Sequence, residues 1–516
     1  MVASPMKTAT SLALDGDLFA ARQQLEALLH DSSLESSLIP RLQNNLATVD
    51  AALGHVDQAV ALLESIPASQ RSAAVQQNLS RLQTSKNTGN HQRRLSSTRV
   101  RVAIVSFLFN WPSTGGGIVH TVELTKFLRQ AGYEVQLIHP VLPEWGIGQV
   151  DHTCPVDTIP LRFSIQDWTI PRIQQRFREA VDEFDPDHII ITDCWNFKPY
   201  IAQAMEGYSY LLRMQASECL CPFNNLRLRP DRSGGVQQCS RSQPATPREC
   251  MTCLVENDRF SGSLHRAERQ LSQVGTDRYH SLLRQTVRSA TAVLVLNSST
   301  QALWELWSDN VRVVTWGMDA ERFPEPEFSG PSHTKLRLLF AGLPQEPIKG
   351  FSVLQAACRQ LWQMRQDFEL RVTADANQFS SSEPFLKCIG WQSQEQLPQR
   401  YREADLVVVP TIAQEGLSRT AVEGMACGKP VLGSRIGGMP EVMTDGLTGL
   451  LAEPGDVADW GQKLNWFLDH PEERLEMGRQ GRKRFERSFT WERVIEEQYA
   501  PLLTPATTRN EATMMC

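Results

Sequence analysis

The sequence predicts an α/β protein in which two doubly wound parallel sheets face a cleft, preceded by a small all-α region. Three observations lead there. β-rich runs alternate with amphipathic helical stretches from residue 100 onward, the alternation stops at a polar segment near residue 330, and it then starts again. Only the first 83 residues lack such runs and carry helical periodicity instead.

The helical region, residues 1–83, is read from Leu12/Leu18/Leu25/Leu28/Leu29 and Leu46/Leu53/Val56/Ala59/Leu62/Leu63. Gly16-Asp17-Leu18-Phe19-Ala20-Ala21 is echoed at Gly54-His55-Val56-Asp57-Gln58-Ala59, each following one helical stretch and opening another. That small-residue turn resembles a tetratricopeptide repeat and implies a surface for a protein partner; a helical cap without binding is the other reading. Residues 84–98, TSKNTGNHQRRLSST, are polar and aperiodic and read as a linker.

A first domain, 99–323, opens with the strand Val100–Leu108, Gly115-Gly116-Gly117, the helix Val119–Gln130 and the strand Glu134–His139. Further strands are expected at His188–Thr192, Tyr210–Arg213, Ala292–Leu296 and Arg312–Thr315. A Pro/Glu/Ser-rich hinge, 324–334, separates it from a second domain, 335–485, with strands at Leu336–Ala341, Phe368–Ala374, Phe385–Gly390, Leu406–Pro410, Pro430–Gly433 and Gly449–Leu451. Two Rossmann-like domains of this kind put a ligand at the carboxyl ends of their strands. The pattern alone leaves a dehydrogenase, a periplasmic-type binder or a transferase open. A helix over 486–503 and a disordered tail, 504–516, complete the chain.

Composition excludes several classes. With 52 Lys+Arg against 58 Asp+Glu the chain of 516 residues carries a formal charge of −6, and 41% of residues are hydrophobic. This is neither a polycation that coats nucleic acid nor a disordered polyanion. No run reaches the roughly 18 apolar residues that span a bilayer, and Asp15 and Asp17 stand where a signal peptide would be apolar. A cytoplasmic protein is expected, with peripheral contact at the inner membrane face as an option through Arg227, Arg229, Arg232 and Arg241.

The discriminating segment is Pro410–Pro440, PTIAQEGLSRTAVEGMACGKPVLGSRIGGMP. Glu415 and Glu423 are separated by seven residues across a helix start, which puts their carboxylates roughly 10 Å apart along one wall. The amides of Gly416, Leu417 and Ser418 at that helix start suit a diphosphate. Gly437-Gly438-Met439-Pro440-Glu441, Asp445-Gly446, Thr448-Gly449-Leu450-Leu451 and Pro454-Gly455-Asp456 follow.

This series resembles the donor half of the group 1 glycosyltransferases, glycosyltransferase family 4, whose fold is GT-B. The resemblance covers roughly residues 100 to 500 and includes Val314-Thr315-Trp316-Gly317-Met318-Asp319 and Tyr401-Arg402-Glu403-Ala404-Asp405. It implies that Glu415 contacts donor sugar hydroxyls, Glu423 the ribose, and Gly116 and Gly117 the donor phosphate or acceptor, and that the last helix crosses back to the first domain. Lys349, in Gly342-Leu343-Pro344-Gln345-Glu346-Pro347-Ile348-Lys349-Gly350, resembles the Lys of the loop that grips the diphosphate. Leu343 stands where that family carries an Arg, with Arg419 as a weaker substitute. The family's His-Asp pair is replaced by Gln215-Ala216-Ser217-Glu218: Gln215 can hydrogen-bond a donor hydroxyl but cannot carry a proton, and Glu218 reads as a surface carboxylate or a base. His120 is a further pocket candidate. Asp185-Pro186-Asp187 precedes its strand and is read as a turn, so catalysis is expected to need no metal or other cofactor.

Cys221, Cys239, Cys250 and Cys253 give C-x17-C-x10-C-x2-C within an insertion, 219–253, that is otherwise Arg, Gly, Ser and Pro. Four thiols with one close pair can build a structural zinc site; the alternative is four reduced cysteines in a loop. The expected activity is retaining transfer of a hexose-type sugar from a nucleotide-diphosphate sugar to a hydroxyl acceptor (glycan, glycolipid or small molecule), with no nucleic acid involved. The rival is a scaffolding or binding protein with a degenerate transferase half and partner-recruiting helices.

Overall fold

The computed structural model describes residues 9, 12, 18–31, 34–53, 55–89, 99–113, 115–230, 236–257, 262–326, 334–377, 379 and 381–503. Gly16, Asp17 and Gly54 of the two matching turns, most of the linker and hinge, and the tail 504–516 lie outside them. Four helices come first: α1 (Leu18–Leu29), α2 (Ile39–Ala52), α3 (Val56–Glu64) and α4 (Ala73–Gly89). They pack as successive neighbours over small buried cores, one built on Leu25, Leu42 and Leu46 and another on Ala59, Leu63 and Val75. α4 runs to Gly89, so the stretch expected to be a linker begins as helix.

The first sheet contains β1 (Arg101–Val105), β2 (Glu134–Val141), β3 (Thr158–Arg162), β4 (His188–Ile191) and β5 (Tyr210–Arg213). A short hairpin, β6 (Leu228–Pro230) and β7 (Val236–Gln238), leaves the sheet, which resumes with β8 (Ala292–Val295) and β9 (Val311–Val313). The order is β3-β2-β1-β4-β5-β8-β9 and every pairing is parallel. β4 is four buried residues, HIII, because helices cover both faces of the sheet. β3 escaped the sequence reading for the opposite reason: it is an edge strand, TIPLR, mostly exposed and interrupted by Pro160.

The second sheet is again all parallel, β10 (Leu336–Phe340), β11 (Phe368–Val372), β12 (Leu386–Cys388), β13 (Leu406–Val409), β14 (Val431–Ser434) and β15 (Gly449–Ala452), in the order β12-β11-β10-β13-β14-β15. Each sheet reverses its winding beside its first strand, between β1 and β4 and between β10 and β13. The crevices at those two switch points are where a doubly wound sheet takes its ligand.

The last described segment, up to Leu503, packs on the first domain. Trp491, Val494, Ile495, Tyr499 and Leu503 are buried with Val102, Ile104, Val122 and Leu128 of the first domain. Met318 N–H donates to Phe489 O at 2.7 Å and Trp491 N–H to Met318 O at 3.3 Å. A Cβ on Gly317 would sit 2.2 Å from the Trp491 ring, so that close crossing depends on glycine. Among the described residues no helix is long and apolar enough to cross a membrane.

Candidate functional site

Both switch points deliver loops to one cleft. After β1 the chain enters α5 (Gly116–Gln130) with Gly115 as its N-cap. A Cβ on Gly117 would lie 2.5 Å from Asp193 Oδ1, and one on Gly116 would lie 3.1 Å from the Trp316 ring. The glycines therefore let α5 start directly against Asp193, two residues past β4, and the Trp316 ring. Asp193 Oδ2 accepts from Thr121 Oγ1 at 2.7 Å, and burial pushes the Asp193 carboxyl above its ordinary range despite that bond and the nearby Lys198.

Gln215, just past β5, has its amide held from both sides. Its Nε2 donates to Thr192 Oγ1 at 2.9 Å and its Oε1 accepts from Trp316 Nε1 at 2.9 Å. Its backbone N–H donates to Glu218 Oε2 at 2.9 Å. Glu218 is not the surface carboxylate that its sequence neighbourhood suggests: it is 3% exposed, lies 3.7 Å from Lys198 Nζ, and is raised chiefly by burial. His120 is sealed between the Trp316 and Trp491 rings, at centroid distances of 5.7 and 5.2 Å. Burial first, then Arg213 and Arg419, push it well below its ordinary value, so it is a neutral ring at neutral pH.

The second domain contributes two loops. Lys349 closes a single turn after β10, and Gly350 follows at φ +66°, where a Cβ would meet Pro410 O at 1.8 Å. That contact lays the Lys349 loop on the loop after β13, and Lys349 Nζ forms an ion pair with Glu415 Oε1. Gly416 permits close approach to the first domain, since a Cβ there would lie 2.5 Å from Leu296. Leu417 is buried, and Ser418 caps the helix Arg419–Ala426 by accepting from Ala421 N–H at 3.3 Å.

Glu423 is 4% exposed rather than open to the cleft. It accepts from the Tyr401 hydroxyl at 2.8 Å and lies 3.8 Å from Arg419. Arg419 is itself committed to Glu123 of α5, at 3.4 Å through both terminal nitrogens. Burial opposes its charge, but Glu123 and then Glu423 outweigh that. Arg419 therefore does not stand in for the arginine missing at Leu343, and Leu343 is an exposed leucine. Sequence reasoning missed Asp193, Glu123, Trp316 and Tyr401 as members of this region. Trp316 and Tyr401 lay within quoted motifs, whereas Asp193 and Glu123 carried no local signal.

The cleft is closed in this structure. Asn297 Nδ2 donates to Gly416 O at 2.9 Å and Ser298 Oγ donates to Glu441 Oε1 at 2.7 Å, both from the first domain to the second. Asp187 of the Asp-Pro-Asp segment accepts from Arg101 N–H at 2.9 Å at the amino ends of β1 and β4, away from the carboxyl ends that face the cleft.

Of the insertion's cysteines, Cys221, Cys239, Cys250 and Cys253 are free thiols. Cys250 and Cys253 share the helix Pro247–Asn257. Burial, then the nearby Cys221, Cys239 and Cys253, push Cys250 up to about 11. Among the described residues no three or more His, Cys, Asp or Glu side chains are already arranged to hold a metal ion.

Residues 327–484 match the family model described as glycosyl transferases group 1. That segment, the second domain, is thus similar to the group 1 glycosyltransferases. An uncharacterized glycosyltransferase of Methanocaldococcus jannaschii is 32% identical over 157 residues, 29% of this chain and 43% of the relative. The MMP alpha-(1->4)-mannosyltransferase of Mycolicibacterium hassiacum is 29% identical over 42% of this chain and 52% of its own. The D-inositol 3-phosphate glycosyltransferase of Pseudarthrobacter chlorophenolicus is 32% identical over 36% and 50%. The chain thus spans about half the length of the curated relatives it matches. Among solved structures, sucrose-phosphate synthase from Thermosynechococcus elongatus superposes with a TM-score of 0.54 at 18% identity over 78% of this chain and 99% of that one. Anabaena HepE in complex with UDP and glucose superposes at 0.52 and 14% identity, with the same coverage. The two doubly wound domains therefore share the GT-B architecture of these structures, the fold expected from the motifs.

Proposed function

We propose that the chain is a retaining glycosyltransferase of family 4 that moves a hexose-type sugar from a nucleotide-diphosphate sugar to a hydroxyl acceptor. The observation that carries this is the pairing of Lys349 with Glu415 at the carboxyl end of the second sheet, directly across from Gly116, Gly117 and Gln215. The UDP and glucose held by the Anabaena neighbour support a nucleotide-sugar donor.

In this reading Glu415 holds sugar hydroxyls, and Lys349 turns from Glu415 to the diphosphate as negative charge builds on the leaving group. The amides of Gly416, Leu417 and Ser418 share that charge. Glu423, gripped by Tyr401 and Arg419, orients the nucleotide end. Gln215, held from both sides, offers a fixed amide to the donor. Closure of the two domains excludes water and aligns the acceptor. The helical region is assigned to a protein partner through a tetratricopeptide-like surface, and the protein to the cytoplasm with peripheral contact at the inner membrane face.

Release of nucleotide from UDP-sugars and GDP-sugars, with and without cell extract as an acceptor source, tests the reading. Glu415→Ala and Glu423→Ala should each lower release by about 100-fold or more. Wild-type rates in both variants refute the assignments, and no release from any donor favours a binding protein with a degenerate transferase half.

We also propose a structural zinc held by Cys221, Cys239, Cys250 and Cys253. Support comes from four free thiols in an insertion poor in core-forming residues, with Cys221, Cys250 and Cys253 each pushed up first by burial and then in part by neighbouring thiols of the set. Purified protein should contain about one zinc per chain and lose thermal stability in chelator; metal-free protein of unchanged stability overturns it.

A further inference from the structure

The Cys-rich insertion does not stay within the first domain. Gln238, the last residue of β7, reaches the loop after β13: its Oε1 accepts the Gln414 backbone N–H at 3.1 Å and its Nε2 lies 3.5 Å from Gln414 Oε1. Arg227 Nη1 donates to the same Gln414 Oε1 at 3.4 Å. Gln414 is the residue before Glu415.

These two side chains are held by the insertion's own backbone. Gln238 Nε2 also donates to Leu226 O and Arg227 O, at 3.3 and 3.2 Å. Arg227 Nε and Nη2 donate to Arg241 O at 3.2 and 2.9 Å. Cys239 N–H donates to Arg227 O at 2.7 Å, which ties the hairpin base to the thiol region. Arg227 sits at φ +55°, a left-handed conformation uncommon for a residue with a side chain, and is only 7% exposed. A strained backbone and a largely buried guanidinium persist only where the surroundings impose them.

On the far side, the loop 411–418 is gripped by its own domain through Ile412 N–H to Ile348 O at 2.9 Å and Thr411 Oγ1 to Ile348 O at 3.0 Å. Asn297 takes Gly416 O. The Gln414 N–H, between these anchors, is taken by the insertion.

We infer that the insertion is a clamp on the donor loop: Gln238 and Arg227 are positioning residues that fix Gln414, and through it Glu415, when the two domains close. The inference rests on the reading of Glu415 as the donor-sugar residue for its catalytic consequence, but the clamp itself is a physical contact. It links donor affinity to an element of the acceptor domain, so that the donor site is complete only in the closed form.

Hydrogen exchange of the full-length protein separates the two claims. Gln238→Ala removes the acceptor for the Gln414 N–H, and exchange over 411–418 should quicken about fivefold, the loss of one hydrogen bond. Gln238→Glu keeps an oxygen acceptor there and should retain most of the protection. With a donor that turns over, Gln238→Ala should raise the donor KM about tenfold with a much smaller change in kcat, and Gln238→Glu should restore it. Wild-type exchange over 411–418 in Gln238→Ala overturns the clamp whether or not any donor is found. Altered exchange without turnover of any donor leaves the clamp standing and counts against the transferase reading. If Gln238→Ala also loosens 219–253 as a whole, Gln414→Ala decides the side-chain half, because it removes the Oε1 that Arg227 and Gln238 reach while leaving the insertion and the Gln414 N–H bond in place: faster exchange at 411–418 supports the clamp, and unchanged exchange overturns the part assigned to Arg227.

Discussion

In the first domain the buried carboxyls Asp193, Glu218 and Glu268 are all pushed above their ordinary range, chiefly by burial. In the second domain Glu369, 7% exposed, goes the other way: burial opposes its charge, but bonds from Lys387 and Arg371 outweigh it and hold the carboxyl below its ordinary value. One topology is thus stabilised with two electrostatic habits. The first domain hydrogen-bonds Glu268 to Asn196 and Asp193 to Thr121, and Lys198, near Asp193 and Glu218, does not outweigh their burial, whereas the second bonds Glu369 directly to two cations that do. A neutral partner leaves the proton favoured, and a cation removes it. The difference also separates the two walls of the cleft, since Asp193 and Glu218 line one and the Lys349–Glu415 pair the other.

The strongest way to break this comparison is at the contact that belongs to both domains. Arg419 of the helix Arg419–Ala426 pairs with Glu123 of α5, and removing it leaves Glu423 buried with the Tyr401 hydroxyl and, among the described residues, no paired cation, and Glu123 with Trp491 and the more distant Arg322. Arg419→Ala should destabilise the protein by about 3 kcal/mol. Denaturant unfolding should show both domains shifting together. Two transitions, with only the second domain's moved, would mean that the domains are electrostatically independent.

A comparable effect is expected from pH. Glu268 keeps its proton up to about 7 in the native state and ionises near 4.5 when unfolded. The native chain therefore binds the extra proton between those values, and stability falls as pH rises through that window, by about 3 kcal/mol in all. Glu369 has the opposite sign: its contribution is present above 4.5 and is lost as pH falls through its lowered native value. Unfolding midpoints between pH 4 and 9 should show the decline between about 4.5 and 7, and Glu268→Gln should flatten it. A decline that persists in Glu268→Gln assigns the effect elsewhere. The smallest effect is the fivefold change in exchange at the clamp, which sharpens the comparison by asking how firmly one domain holds the other's loop.

Much of the fold was legible because buried parallel strands announce themselves as continuous apolar runs. Tyr210–Arg213 coincides with β5, and the other expected strands overlap observed ones within a few residues. β3, an exposed edge strand, had no such run. In the site, Lys349, Glu415, Gly416 and Ser418 were visible because each lies in a contiguous loop whose local spacing carries its meaning. Asp193 and Glu123 were not, since what matters about them is a partner 72 or 296 residues away.

By itself, then, the sequence determined two doubly wound domains, the loops at their strand ends and the glycines that those loops need, all of which depend on neighbours in the chain. The tertiary structure alone decided which polar groups share a cavity: that Glu218 is buried, that Arg419 is spent on Glu123, and that the cysteine insertion reaches Gln414. Burial and pairing between distant segments are set by how the domains close on one another, and no local pattern encodes that.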